Sequence, residues 1–291
     1  VISGFRSFLY NEQNAAKHLK TASVTMSCDR DPVVNRLKIV NTVDRIKSDQ
    51  PDIELVIFGE LILGWYNPCD MPEYHRDIAQ RVTKETLQDL ASLSLRHRIY
   101  LCFGMSEIDD GILYNAQVLL NPKGEIQAVH RKSNLKSSEI TANFKSGSVP
   151  VTITDIKGLK TGIVICSDAA NPRTMRELMR SHLDLIILSL ADDYDEDSFM
   201  ARCNARMYDA WIVTANRYGD ENGRFWDGHM VISDPLGRLR AVGQKREQHL
   251  VHELIFADDK SWLKKVLRST LIKIPLPIYI LKNWKKVRSY Y

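Results

Sequence analysis

No pairing pattern runs through the cysteines of this chain. The five, at positions 28, 69, 102, 166 and 203, are odd in number and widely spaced, with no CxxC and no cysteine/histidine zinc spacing. That argues against a disulfide framework and against a bound metal, and it fits thiols kept reduced in a cytoplasmic setting. No uninterrupted apolar run reaches the roughly 18 residues that a transmembrane helix needs. Neither sign of charge dominates: 40 Lys and Arg stand against 36 Asp and Glu, a formal net charge of +4. The excess is local. Lys260–Tyr291 holds nine basic residues and no acidic one, which leaves −5 for residues 1–259. The basicity belongs to the tail and not to the fold, and no motif of a nucleic-acid-binding fold accompanies it, so no nucleic-acid partner is expected. A linker of shifted composition is also missing, which favours one domain.

What is present is enough apolar material for a large core, 44% of 291 residues. The organisation expected is an N-terminal extension over 1–20, partly helical, a main domain over 21–257, and a basic tail over 258–291. Short β-branched or apolar runs bounded by turn formers predict strands at Thr21–Met26, Ile53–Phe58, Tyr100–Gly104, Val151–Ile156, Gly162–Ile165, Leu183–Leu190 and Trp211–Asn216. Helical spacing predicts helices over Asn35–Ser48, opened by Asp31 or Pro32, over about Asp77–Arg96, Arg173–Ser181 and Phe199–Tyr208. Two hairpins turn at Asn121-Pro122-Lys123-Gly124 and at Pro235-Leu236-Gly237, and Ser133–Ser148 reads as a polar loop. NPKGEI at 121–126 and DPLGRL at 234–239 echo each other, and each follows helix and strand. Two similar α/β halves packed sheet to sheet predict a four-layer α-β-β-α sandwich.

Three residues stand where apolar sequence gives way to polar. Glu60 follows a strand, Lys132 follows a hairpin strand, and Cys166 ends the run Ile163-Val164-Ile165. Strand ends are where α/β sheets open onto ligands. Each residue alone has an ordinary reading: a helix-start carboxylate, a solvated lysine, a space-filling thiol. Together they supply a base, a cation for a developing oxyanion and a nucleophile, which suffices for acyl transfer through a thioester.

The surrounding residues add a resemblance. IFGELILGWY at 57–66, HRKSNL at 130–135 and GIVICSDAANP at 162–172 resemble, in order, the three signature stretches of the carbon–nitrogen hydrolase (nitrilase) superfamily. FGMSE at 103–107, LYNAQVLLNPKGEI at 113–126, ARMYDAWIVTANRYGDENG at 205–223 and the second hairpin extend the likeness across roughly Thr21 to Phe256. The resemblance implies a nitrilase-like fold and a triad of Glu60 as general base, Lys132, and Cys166 as nucleophile. It implies Glu139 as a second glutamate, the Ser167 N–H as part of an oxyanion hole, and Glu107 as support for Lys132. It implies no metal and no organic cofactor. Arg173 departs from the family's usual glutamate at that place, which puts a local ion pair in question. Cys166-Ser167-Asp168 resembles the amidase and carbamoylase branches more than the nitrilases.

The expected activity is therefore hydrolysis of a linear amide or carbamoyl compound through a cysteine thioester, in a homodimer or larger homo-oligomer. Nitrile hydrolysis and acyl transfer to an amine are enzymatic alternatives, and a scaffold or binding protein on the same fold is the non-enzymatic one. The acidic stretch Asp192–Asp197 suggests a pocket border that favours a cationic substrate. In the tail, basic residues interleave with Trp262, Tyr279, Trp284, Tyr290 and Tyr291. That suits packing across a subunit interface, with contact to a membrane surface through Lys260–Tyr291 as the alternative.

Overall fold

A computed structural model describes residues 15–66, 73–192 and 197–257 of the chain. Its first strand, β1 (Ala15–Ser27), lies parallel to β2 (Leu55–Ile57), and β2 lies parallel to β3 (Tyr100–Asp109). The chain then reverses through β4 (Ile112–Leu120) and β5 (Ile126–Arg131), both antiparallel. The second half repeats this plan. After β6 (Thr152–Ile156) come β7 (Leu159–Ile165), β8 (Leu185–Ser189) and β9 (Trp211–Glu221), mutually parallel where they pair. A short β10 (Arg224–Asp227) folds back on the end of β9. Then β11 (Val231–Ser233) and β12 (Leu239–Val242) reverse as β4 and β5 do, and β13 (Gln248–Ala257) returns antiparallel to β1.

β9 joins the two sheets. Its residues Trp211–Ala215 pair with β8, and Asn216–Tyr218 pair with the end of β1. The helices cover the outer faces: α1 (Pro32–Asp49), α2 (Tyr74–Ile78) and α3 (Gln88–His97) in the first half, α4 (Ser137–Thr141) between the halves, α5 (Pro172–Ser181) and α6 (Asp197–Tyr208) in the second. Strand alternation shows the layers directly. Val56 and Phe58 pack outward with Ile39, Val43 and Leu90. Leu55 and Ile57 pack inward with Ile163, Leu185, Ile187 and Val213. Ile186 and Leu188 face Leu178, Ala201 and Ala205 on the far side. The result is the expected four-layer α-β-β-α sandwich. Each fully buried Leu or Ile of the inter-sheet layer contributes about 1.5–3 kcal/mol of transfer free energy.

The echo in the sequence is an echo in structure. Asn121 and Asp234 each accept, through Oδ1, from the backbone N–H groups two and four residues on (Lys123 and Glu125; Leu236 and Arg238). Gly124 and Gly237 follow with φ of 73° and 72°, a region where a side chain is strained. The helix starts match as well. Asp31 and Asn171 cap α1 and α5 by accepting from Val33 N and Arg173 N, both at 2.8 Å, and a proline follows each cap.

Four expectations need correction. β1 begins at Ala15, so residues 15–20 are strand and not a partly helical extension; pairing of Lys17–Lys20 with Glu253–Phe256 of β13 sets their conformation. The long helix over Asp77–Arg96 is two helices. Gln80 between them donates its N–H to Ser106 O and accepts from Ile108 N, which ties that stretch to β3. The polar loop Ser133–Ser148 contains α4. β10 and β13 were not anticipated as strands. Residues 1–14, part of the acidic stretch (193–196) and the tail 258–291 lie outside the described residues, as does the reading of that tail.

Candidate active site

The structure brings Glu60, Lys132, Glu139 and Cys166 to one place. Glu60 stands three residues beyond β2, with its N–H donated to Leu190 O just past β8. Lys132 leaves β5 with its N–H on Asn115 O. Its Nζ donates to Glu60 Oε1 at 2.6 Å and to Glu139 Oε2 at 2.8 Å. Glu139 sits in the first turn of α4, where Oε2 also accepts from Lys136 N at 2.8 Å. Glu60 and Lys132 are 0% exposed and Glu139 is 2% exposed. Charges this deeply buried persist only when paired and hydrogen-bonded.

Sequence reading missed Asn115. From the middle of β4, its Nδ2 donates to Glu60 Oε1 at 2.7 Å and to Glu139 Oε1 at 2.6 Å, so one amide ties the two carboxylates together. The second oxygen of Glu60, Oε2, is buried with no hydrogen-bond partner among the described residues, as is Asn115 Oδ1. Burial raises the pKa of Glu60 and Glu139 adds to this, while Lys132 opposes it. Burial also works against the charge on Lys132, but the field of Glu60, with that of the Cys166 thiol, Tyr66 and Glu139, outweighs it and holds the ammonium well above its usual range.

Cys166 opens a 3₁₀ turn, Cys166–Ala170, directly after β7. Its φ is +44°, a left-handed conformation that costs a non-glycine residue about 1–2 kcal/mol. Asp168 holds the turn in place. Its carboxylate accepts from Ile165 N, His130 Nε2, Ser133 N, Ser133 Oγ and Asn134 N at 2.7–3.1 Å. Ser167 Oγ donates to Asn134 O and Asn134 Nδ2 donates to Ser167 O. The cysteine turn and the segment after Lys132 are thus laced into one unit. Burial raises the thiol pKa, Glu60 raises it further, and Lys132 opposes both.

Glu107 does not reach Lys132 among its described contacts. It takes Arg131 in a bidentate pair, Nε and Nη2 both at 2.7 Å, and so braces the neighbouring residue. Arg173 is exposed, with its Nη2 on Ser148 O at 3.2 Å.

A second missed device is the fully buried Arg217 on β9. It donates from Nε to Glu221 Oε1 at 2.7 Å, from Nη1 to the carbonyls of Glu60 and Leu61, and from Nη2 to Gly64 O at 2.6 Å. Glu221 Oε2 accepts from Tyr66 N at 2.8 Å. The pair fixes the backbone that follows Glu60, including Leu61 at φ +48°. Asn115, Arg217 and Glu221 all fall inside stretches quoted for the resemblance. Asn115 carried a signal, a polar residue inside a mostly apolar strand, whereas Arg217 and Glu221 stand among polar neighbours and carried none.

A family model described as Carbon-nitrogen hydrolase matches residues 20–262. A probable nitrilase of Schizosaccharomyces pombe is 25% identical over 239 residues, 79% of this chain and 86% of its own. An (R)-stereoselective amidase of a Pseudomonas species is 28% identical over 217 residues, 72% of this chain and 76% of its own. Among solved structures, Nit3 of Saccharomyces cerevisiae, a member of branch 10 of the nitrilase superfamily, superposes with a TM-score of 0.73 at 20% identity, covering 88% of this chain and 95% of that one. An amidase of a Nesterenkonia species gives 0.71 at 19% identity, covering 93% and 97%. At those identities the likeness in structure is a likeness of fold.

Proposed function

The chain belongs to the carbon–nitrogen hydrolase family, and from that premise we propose that it hydrolyses a linear carboxamide or carbamoyl compound through a thioester on Cys166. The observation that carries the proposal is the buried Lys132 ammonium between Glu60 and Glu139, with Glu60 Oε2 unpartnered. A carboxylate oxygen that is desolvated and unbonded, on a group whose pKa burial has raised, is suited to take a proton from a thiol.

Glu60 Oε2 accepts the Cys166 proton as Sγ attacks the carbonyl carbon. The carbonyl π electrons move to oxygen, where the Lys132 ammonium and the Ser167 N–H hold the oxyanion. Collapse breaks the carbon–nitrogen bond, and ammonia or an amine leaves with the proton from Glu60. Water then attacks the thioester carbon, Glu60 takes its proton, and the proton returns to Sγ as the acid departs. Lys132 stays charged throughout, because Glu60 and Glu139 are tied to it and to each other by Asn115. Asp168, the third residue of Cys166-Ser167-Asp168, favours an amide over a nitrile by the branch resemblance given above.

The test is intact-protein mass spectrometry after incubation with small amides, carbamoyl compounds and nitriles, beside Cys166→Ala. An acyl adduct on the wild type that the variant lacks, with ammonia released, is the expected result. The reading fails if no compound labels Cys166 and a thiol alkylator reacts there no faster than at the other cysteines. Assembly into a homodimer or larger belongs to the same proposal, and light scattering of the full chain with and without Lys260–Tyr291 tests it. Among the described residues no helix is long and apolar enough to cross a membrane.

A further inference from the structure

A buried cluster with three aromatic rings, here called the box, lies on segments that adjoin the polar site residues and has no role in the steps above. Leu61, Tyr66, Leu113, Phe144, Ala191 and Trp226 form it as one buried cluster. Most come from segments that carry site residues. Leu61 follows Glu60, and Leu113 lies two residues before Asn115. Phe144 donates its N–H to Glu139 O, and Ala191 follows Leu190, whose carbonyl holds Glu60 N. Tyr66 is within the field of the site. Burial raises its pKa, and Glu60, Lys132, Glu139 and Cys166 all act on its phenol.

Trp226 enters the box from β10, 1% exposed, edge to face with Tyr66 at 5.2 Å between ring centroids. Its indole Nε1–H is buried and has no hydrogen-bond partner among the described residues. A buried indole N–H ordinarily finds an acceptor, and an orphaned one calls for a physical reason. A subsite completed by ligand supplies that reason.

We propose that this box seats the acyl chain of the substrate amide and that Trp226 Nε1 donates to a neutral oxygen on that chain, a carbonyl or an ether. The inference rests on the thioester reading above and narrows its substrate. The electrostatics point to a neutral acceptor and not a carboxylate. Arg217, 5.6 Å from the Trp226 ring, has its donors committed to Glu221 and to the carbonyls of Glu60, Leu61 and Gly64. Arg224, stacked over the ring at 4.3 Å, is exposed to solvent. At Cys166 itself burial chiefly, then Glu60 and Asp192, disfavour negative charge, against Lys132 and Lys136.

The experiment compares kcat/KM for straight-chain alkyl amides with amides of equal length in which one methylene is replaced by a carbonyl or an ether oxygen, moved stepwise along the chain. At one position the oxygenated amide is favoured by about tenfold, the effect of one well-placed hydrogen bond in a buried site. In Trp226→Phe, which keeps the ring and removes the donor, that ratio falls to near one. The inference is overturned if no position favours oxygen in the wild type, or if the ratio survives in Trp226→Phe. It is also overturned if a terminal carboxylate is preferred over the neutral oxygen. The wild-type ratios decide the matter even where the variant folds poorly. Adduct mass on Cys166 separates the two levels: acyl adducts from alkyl and oxygenated amides alike, formed at equal rates, remove the subsite and leave the thioester standing. Absence of any adduct removes the thioester reading itself.

Discussion

Cys28 and Cys166 occupy the same place in the two halves of the molecule. Each is the first residue after the opening parallel strand, and each precedes a helix started by an Asx cap and a proline. Both are buried, and burial raises both thiol pKa values, that of Cys28 to about 12. Depth does not distinguish them. The connection does. Between Cys28 and its cap Asp31 lie two residues; between Cys166 and its cap Asn171 lie four, and these form the 3₁₀ turn that holds Cys166 at positive φ. Cys28 directs its thiol to Ile62 O at 3.5 Å and packs in the helix–sheet core. Cys166 has Glu60 and Lys132 acting on it. Cys28 also lies in the field of a cation and a carboxylate, Arg217 and Glu221, but these two are bonded to each other; what the second site adds is a carboxylate oxygen, Glu60 Oε2, with no hydrogen-bond partner among the described residues.

Exchange of each cysteine for alanine breaks the comparison most sharply. Cys166→Ala lowers kcat by at least about 10³-fold, the scale seen when a nucleophile is removed. Cys28→Ala keeps turnover within about threefold and lowers thermal stability by about 1–2 kcal/mol, a typical core truncation. A scan with iodoacetamide followed by peptide mapping reads both, with Cys166 labelled and Cys28 protected in the native protein. Equal labelling would mean that the second half confers no special chemistry on its cysteine.

Glu60 provides the next test. Glu60→Gln lowers kcat/KM by about 10²–10⁴-fold, the range for loss of a general base. The base must be ionised to accept the thiol proton, so activity rises with pH as Glu60 deprotonates. Burial places that rise above the ordinary glutamate value of 4.5. The acid limb of the wild-type pH profile therefore lies above 4.5 and disappears in Glu60→Gln. A limb unmoved by the substitution assigns the titration to another group.

Much of this was legible in the sequence because it depends on runs and ends. Leu185–Ser189 is buried at every position, and a run as apolar as Leu185–Leu188 announces such a strand. Glu60, Lys132 and Cys166 mark the points where such runs stop. What was hidden depends on pairing across the chain. Ala15–Lys20 has no strand signal of its own and is extended because β13, more than 220 residues later, lies beside it. Asn115 and Arg217 read like outward-facing polar residues, since period-two alternation cannot tell a face turned to solvent from one turned into a site. Gln80 breaks a helix that local spacing favoured, because β3 takes its backbone groups.

Arg217 tests the strand that joins the halves. Its guanidinium is the only described partner of Glu221 Oε1, and the two lie fully or nearly fully buried. Arg217→Leu leaves that carboxylate without its cation and costs about 3–5 kcal/mol, whereas Arg217→Leu with Glu221→Leu recovers part of the loss. Urea midpoints of the two variants measure it. If the double variant is no more stable than the single one, the carbonyls of Glu60, Leu61 and Gly64 are what Arg217 chiefly serves.

The smallest effect belongs to the paired hairpin turns, and it is the one that tests their equivalence. Asp234 makes the same two Oδ1 contacts as Asn121, and adds through Oδ2 an ion pair with Arg238 at 2.6 Å and a longer one with Arg240 at 3.8 Å. The Arg238 side chain is half exposed, so solvent screens that pair and its worth is below about 1 kcal/mol. Asp234→Asn keeps the Oδ1 acceptor and should cost no more than this. Asp234→Ala and Asn121→Ala each release two backbone N–H groups from their acceptor and should cost about 1–2 kcal/mol, and cost it alike. Should Asp234→Asn prove as damaging as Asp234→Ala, the second turn is held by its ion pair. The two hairpins would then share a shape without sharing its cause.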